Sequence, residues 1–202
     1  MSKITSTQLH LGEAGTAGSS TAAEGQIWVK SDVPSSLYYT NDAGTDFRAG
    51  GITLSTEVAT TSGSAILFGS IPTGVKAIDI LFKGVSTSAG APGVMGVTLG
   101  DASGLETSGY IFTIVNQVGT ATVSTANFNM FNTYAGETMS AQFQLRRMNT
   151  SGQSWCAVSN ADAGGTHYNG AGNKTLTGEL TQVNIACSSG TFDAGSMNIQ
   201  FQ

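Results

Sequence analysis

Alternating apolar and polar residues, the pattern of a β-strand with one buried face, recur through most of the chain. The clearest run covers residues 139–146, where Met139, Phe143 and Leu145 share one face. No segment repeats apolar residues at the spacing of a helical stripe. The pattern therefore predicts an all-β protein with about eight or nine strands in its main part. The predicted strands lie at residues 65–68, 78–82, 94–99, 110–118, 128–131, 139–146, 155–158, 180–185 and 197–201.

Turn-forming residues separate these runs, as in Pro92-Gly93 and Ser188-Ser189-Gly190. Short strands divided by frequent turns are typical of a β-sandwich. We expect residues 52–202 to form one antiparallel β-sandwich with a jelly-roll-like arrangement. Because the last alternating run reaches the end of the sequence, we expect it to be a packed strand.

The first fifty residues differ from the rest. The stretch AGTAGSSTAAEG at residues 14–25 has the small-residue composition of a linker, and we expect residues 1–23 to form an extended N-terminal arm or linker. Residues 24–51 contain three short aromatic-rich pieces, QIWVK, LYYT and DFRA, which predict a small β-meander. Such a sheet is too small to be stable alone and has to dock on something. The simplest interpretation makes the aromatic side chains its core, and the alternative makes them an attachment surface. These side chains are Trp28, Tyr38, Tyr39 and Phe47.

Composition limits the kinds of partner that the chain is expected to bind. Charged residues are 10% of the chain and the net charge is −5, against roughly a quarter charged in ordinary domains. An acidic chain without a basic run is not expected to bind nucleic acid. No apolar stretch predicts a membrane span or a secretory signal, so we expect synthesis in a cytoplasm. That compartment favours free thiols at Cys156 and Cys187, although a disulfide between them stays open.

Candidate chemistry is sparse. The two histidines, His10 and His167, have no metal-ligand spacing. Asp101 and Glu106, in the stretch LGDASGLETSGY, are a candidate carboxylate pair for acid–base chemistry or cation binding. The simpler interpretation is a polar loop in which these side chains cap turns. We expect no catalytic, cofactor or metal site.

The polar, glycine-rich segment at residues 160–174 predicts a long exposed loop. Its Tyr and His side chains can stack on sugar rings while Asn and Asp bond hydroxyl groups. Alternatively, it is a plain connection between strands or a contact with a neighbouring subunit. The candidate contact residues are Asp162, His167, Tyr168 and Asn169.

Two stretches carry a family resemblance. Residues 24–50, with GQIWVK followed by YYTNDAGTD, resemble a module that recurs in tail-fibre and other structural proteins of tailed bacteriophages. IPTGVKAIDILFKGVSTS and LGDASGLETSGY resemble signatures of a β-rich phage domain. The resemblance implies a virion protein, located on the particle, whose partners are other capsid or tail proteins. The resemblance does not identify any functional residue in this chain.

Three functions are compatible with these observations. The first is a non-enzymatic, trimeric capsid decoration or cement protein, or a short head fibre. The second is a tail-fibre adhesin that binds a host surface glycan. The third is a glycan depolymerase, for which the chain lacks an evident cluster of acids. The chain leaves no room for a long fibre shaft, which favours the first function.

Overall fold

The computed structural model describes residues 13–16, 18, 25–31, 36–41, 44, 46–49, 52–89, 93–149 and 152–202. Strands are the only long regular elements in these ranges, and no helix occurs among them. The chain divides into two compact units, Met1–Gly51 and Ile52–Gln202. The division falls directly after the Gly50-Gly51 pair.

The first unit is a four-stranded sheet in the order β1-β2-β3-β4. Its strands are β1 (Glu13–Ala14), β2 (Gln26–Lys30), β3 (Ser36–Thr40) and β4 (Asp46–Arg48). Strands β2, β3 and β4 form the predicted antiparallel meander. Strand β1 pairs with β2 in parallel, so the sheet includes residues that the sequence assigns to the arm.

The described residues of the second unit form fourteen strands. In chain order they are β5 (Thr53–Leu54), β6 (Val58–Ala59), β7 (Ala65–Phe68), β8 (Ala77–Thr87), β9 (Gly93–Asp101), β10 (Gly104–Leu105), β11 (Tyr110–Asn116), β12 (Ala121–Ser124), β13 (Phe128–Thr133), β14 (Met139–Arg147), β15 (Ser154–Ala163), β16 (Thr166–Thr175), β17 (Gln182–Cys187) and β18 (Phe192–Phe201).

These strands form two antiparallel sheets packed as a sandwich. The large sheet has the order β12-β11-β16-β15-β14-β8-β18-β5, with β6 also paired to β18. The small sheet has the order β10-β9-β17-β7, with β13 also paired to β9. The chain passes from one sheet to the other repeatedly, since β7, β9, β13 and β17 alternate with strands of the large sheet. The all-β sandwich is therefore confirmed, while the finer jelly-roll assignment stays a prediction.

The core lies between the two sheets. Ile80 of β8 and Phe143 of β14 are fully buried from the large sheet, and Val97 of β9 from the small one. Phe128 of β13 packs edge-on against Phe112 of β11, with ring centroids 5.2 Å apart. Buried aromatic pairs of this geometry stabilise beyond their apolar area, by about 1 kcal/mol each.

All nine runs predicted from alternation are strands. The five that the pattern misses are β5, β6, β10, β12 and β16. Three of these are two-residue strands, too short to show alternation. Both cysteines are free: Cys156 is exposed on β15, and burial raises the pKa of the Cys187 thiol on β17.

Candidate functional site

The predicted exposed loop at residues 160–174 is wrong. This segment belongs to a regular hairpin of β15 and β16, with Ala163 directly opposite Thr166. Gly164 and Gly165 form the two-residue turn, and both have positive φ, at 57° and 80°. A two-residue hairpin turn of this kind needs positive φ at both positions, which glycine adopts without strain.

Two further glycines of this segment lie inside β16, where a larger residue does not fit. A Cβ on Gly172 would lie 1.9 Å from the carbonyl oxygen of Ile111, and one on Gly170 would lie 2.5 Å from the ring of Phe112. These glycines let β16 approach β11 closely. The composition of β16 suggests a loop because packing, rather than a turn, requires Gly170 and Gly172.

The alternation of β16 separates the four candidate contact residues. His167 and Asn169 point to the outer face of the large sheet, where His167 lies 3.4 Å from Asp162 in a largely exposed pair. Tyr168 points to the opposite side, towards the interior, and its ring lies 6.4 Å from that of Phe131. The structure therefore does not bring the four residues together as one contact surface.

Tyr168 lines a cleft between the two sheets. The cleft has a volume of about 70 Å³. Val94, Ile114 and Phe131 give it apolar walls, and the polar groups around them come from β11, β12, β13, β16 and the turn between β11 and β12. These polar residues are Asn116, Thr120, Thr122, Asn129 and Tyr168.

The polar groups of this cleft are largely uncommitted. Asn116 uses its side-chain oxygen to accept hydrogen bonds from the backbone amides of Val118 and Thr120, at 3.2 and 2.9 Å. Within the described part of the chain, the side chains of Thr122, Asn129 and Tyr168 have no hydrogen-bond partner. Amide and hydroxyl groups are thus available at a half-buried position with an apolar floor.

Burial raises the pKa of the Tyr168 hydroxyl, and the nearby Tyr134 and Glu137 add to the effect. The phenol therefore stays neutral at physiological pH and can both donate and accept a hydrogen bond. No charged side chain is among the eight lining residues. The cleft is consequently suited to a neutral polar group rather than to an ion.

A second hollow, of about 290 Å³, is lined by Gly74, Lys76, Arg147, Met148 and Asn149. Arg147 is already paired with Glu179 at 3.1 Å. Its guanidinium also donates to the carbonyl oxygen of Gly152. With Arg147 held by these partners, we assign no ligand to this hollow.

The structure brings Asp101 and Glu106 to one place. The hydroxyl of Thr177 lies within hydrogen-bond distance of both carboxylates, 2.9 Å from Asp101 and 2.8 Å from Glu106, and can donate its single proton to either. Glu106 also accepts from the backbone amide of Thr177 and pairs with the buried ammonium of Lys174. Lys174 lies over the ring of Tyr110, 5.4 Å from its centroid. We call Asp101, Glu106, Lys174 and Thr177 the acid–lysine cluster.

Both carboxylates of this cluster are held in the ionised form. Hydrogen bonds from Ser103, and then from Thr177, lower the pKa of Asp101. Burial by itself raises the pKa of Glu106, but the bonds from Lys174 and Thr177 outweigh it, so the net shift is downward. A general acid needs the opposite shift. The arrangement is that of a structural link between the β9–β10 turn and the segment after β16.

The aromatic residues of the first unit lie on two faces of its sheet. Trp28 is buried, stacks on Tyr38 at 5.1 Å and donates its indole N–H to Thr40. Tyr39 lies on the opposite face, directly across from Ile27. There Ile27, Leu37 and Tyr39 are 60%, 42% and 43% exposed. Phe47 is the register partner of Tyr39, and its side chain lies outside the described residues.

Residues 13–202, within the ranges described above, contain no cluster of three or more potential metal ligands. The same ranges hold no helix long and apolar enough to cross a membrane. His10 lies outside them. No protein-family model, curated protein or solved structure matches this chain.

Sequence reasoning finds Tyr168 but misses its partners in the cleft. Asn116 is recognisable as part of a turn, since Asn116-Gln117-Val118-Gly119 has turn composition. Thr122 lies on the unpredicted strand β12 and Asn129 within the predicted strand β13. Nothing in the sequence indicates that these side chains converge.

Proposed function

We propose that this protein is a non-enzymatic structural protein of a bacteriophage particle, assembled as a trimer on its surface. The proposal places it as a capsid decoration or cement protein, or as a short head fibre. The observation that carries it is a cluster of exposed apolar side chains on one sheet face, which fits a protein built to lie against neighbours. The sequence resemblance to phage proteins is the reason for proposing a bacteriophage particle as the assembly.

This face is the outer side of strands β12, β11, β16 and β15. Thr113 of β11 pairs with Val123 on one side and Ala171 on the other, and Ala171 pairs with Val158. Ile111 and Val115 flank Thr113 on the same side of β11. The apolar members Ile111, Val115, Val123 and Val158 are 63%, 36%, 66% and 47% exposed. We call this set the outer apolar patch.

A contiguous exposed patch of this kind marks an interaction surface in most proteins. Charges are depleted at the centres of protein interfaces, and no Lys, Arg, Asp or Glu stands among Ile111, Thr113, Val115, Val123, Val158 and Ala171. We propose that other copies of this chain cover the outer apolar patch. In a three-fold assembly the contacts are heterologous, so the patch of one copy packs against a different part of the neighbouring copy's surface.

Attachment to the particle is assigned to the first unit. Its exposed face of Ile27, Leu37 and Tyr39 presents apolar side chains that the small sheet does not bury itself. A shortened chain that begins at Ile52 should keep the sandwich but fail to join particles. Quantitative mass spectrometry of purified particles measures incorporation, and circular dichroism verifies the fold. Incorporation of the shortened chain at the level of the full chain would refute this assignment.

The matched variant for this test keeps the full chain and changes only the exposed face. Ile27→Ser together with Leu37→Ser should lower incorporation at least tenfold. Thr73→Ser, an exposed position in the second unit, is the control and should leave incorporation unchanged.

A second candidate function is a tail-fibre adhesin that binds a host surface glycan. The cleft around Tyr168 favours it, because an aromatic ring combined with amide and hydroxyl groups is a chemistry that recognises sugars. Electron microscopy of labelled particles separates the two candidates. Label on the capsid supports decoration or a head fibre, whereas label at the tail supports the adhesin.

A further inference from the structure

The inference concerns the cleft between the sheets, and it rests on the second candidate function, contact with a glycan. We propose that this cleft binds the acetamido group of an N-acetylated sugar.

The volume of the cleft limits the size of the group that can enter it. An apolar cavity of about 150 Å³ holds benzene, which has six non-hydrogen atoms. A cleft of about 70 Å³ therefore admits a group of three or four such atoms. A whole sugar ring is too large, whereas an acetamido substituent is of the right size. The ring itself stays at the mouth of the cleft.

Chemistry selects the group further. The walls formed by Ile114 and Phe131 are buried and apolar, which suits a methyl group. The amide nitrogen of Asn116 is the free end of a side chain whose oxygen is already bonded to the backbone. It can donate to the acetamido carbonyl, while the side-chain oxygen of Asn129 can accept from the acetamido N–H. Both polar ends of the substituent then find a partner.

The absence of charge in the lining excludes two competing classes of ligand. A carboxylated or phosphorylated sugar needs a cationic side chain to repay its desolvation. None of the eight lining residues is cationic. A purely apolar ligand would leave the amides of Asn116 and Asn129 without partners, which costs about 1–3 kcal/mol per group.

The test is ligand-observed nuclear magnetic resonance on the full-length protein with two probes, methyl N-acetylglucosaminide and methyl glucoside. They differ only in the acetamido group. The first should bind with a dissociation constant in the millimolar range and give its strongest saturation transfer at the acetyl methyl protons. The second should bind at least tenfold more weakly. Equal binding of the two probes would overturn the proposal.

Variants locate the binding in the cleft. Asn129→Leu, which replaces the side-chain amide by two methyl groups without changing the number of non-hydrogen atoms, should abolish binding. Thr122→Val, which removes one hydroxyl at constant shape, should weaken it. Asn169→Ala, on the outer face of the same strand as Tyr168, is the control and should bind normally. Binding that survives Asn129→Leu places the sugar elsewhere and refutes the site.

This test is independent of the structural role. A protein that is present in purified particles but fails to bind either probe leaves the virion proposal standing and removes the acetamido site. A protein that is absent from particles but still binds the first probe more tightly than the second removes the virion proposal and leaves the acetamido site standing.

Discussion

At the scale of single residues, Lys174 is held by several partners at once. Its ammonium is almost fully buried, pairs with Glu106, donates to the carbonyl oxygen of Thr175 and lies over the ring of Tyr110. A buried charge is tolerated only while it has an anion and hydrogen-bond acceptors. The cluster therefore contributes to stability mainly by preventing the cost of an unpaired charge.

Glu106→Gln tests this dependence. The variant keeps the shape of the side chain but leaves Lys174 without its anion, and we expect a loss of about 3 kcal/mol in the free energy of unfolding. Urea denaturation followed by tryptophan fluorescence measures it. Glu57→Gln, at an exposed position, is the control and should change stability by less than about 0.5 kcal/mol. Equal effects of the two variants would contradict a structural role for the pair.

Acid should weaken the protein through the same carboxylates. The pKa values of Asp101, Glu106 and Glu179 are all lowered in the folded chain. A carboxyl group with a lowered folded pKa stabilises the protein above its unfolded pKa, near 4, and loses that contribution as the pH falls through the folded pKa. We therefore expect the urea midpoint to be constant near neutral pH and to fall below about pH 4.5.

The slope of that decline identifies the groups responsible. In Glu106→Gln one of the three carboxyl groups no longer titrates, so its midpoint should decline less steeply between about pH 4.5 and pH 3 than that of the unaltered protein. Parallel curves for the two proteins would exclude Glu106 as a source of the acid sensitivity.

At the scale of elements, β16 shows how packing overrides composition. Five of its ten residues are Gly, Ala or Asn, in the run NGAGN, which in sequence is typical of a loop. It is nonetheless a central strand between β11 and β15. Its glycines leave space for the backbone of β11 and for the ring of Phe112.

Gly172→Ala should therefore be far more costly than its size suggests. The new methyl group meets the backbone of Ile111 and Phe112, which cannot move without breaking the β11–β16 pairing. We expect a loss of about 2–3 kcal/mol, measured as a lowered melting temperature. Asn173→Ala, the next residue on the exposed face, is the control and should have little effect. A melting temperature unchanged in Gly172→Ala would show that β11 adjusts freely.

Strands were predictable from the sequence wherever side chains alone define the pattern. The runs that contain Ile80, Phe143 and Ile199 alternate because each of these residues faces the core. Strand β16 was not predictable, because its glycines are required by close packing against Phe112, a residue distant along the chain. The cleft was predictable only in part. Tyr168 was a candidate because of its side-chain chemistry, whereas Asn129 reaches the cleft only through the pairing of β13 with β9.

At the scale of the whole molecule, the outer apolar patch makes the proposed trimer testable. Val158→Lys places a charge at the centre of the patch and should convert the trimer into monomers. Native mass spectrometry at several protein concentrations measures the distribution. Thr73→Lys adds the same charge at an exposed position outside the patch and should leave the trimer intact.

Two results would count against this interface. One is a trimer that persists in Val158→Lys, which would locate the contact on another surface. The other is a protein that is monomeric without any substitution, which would remove the basis for a self-associating face.

The pairing of β5 with β18 has a consequence for synthesis. Thr53 pairs with Phe201, and Ser55 bonds to Asn198, 143 residues further along the chain. In the first unit, by contrast, Trp28 bonds to Thr40, only 12 residues away. On the ribosome all strands of the first unit emerge early, whereas the sandwich cannot close until translation reaches β18. Folding of the sandwich should then be the slow step, because distant pairings form slowly.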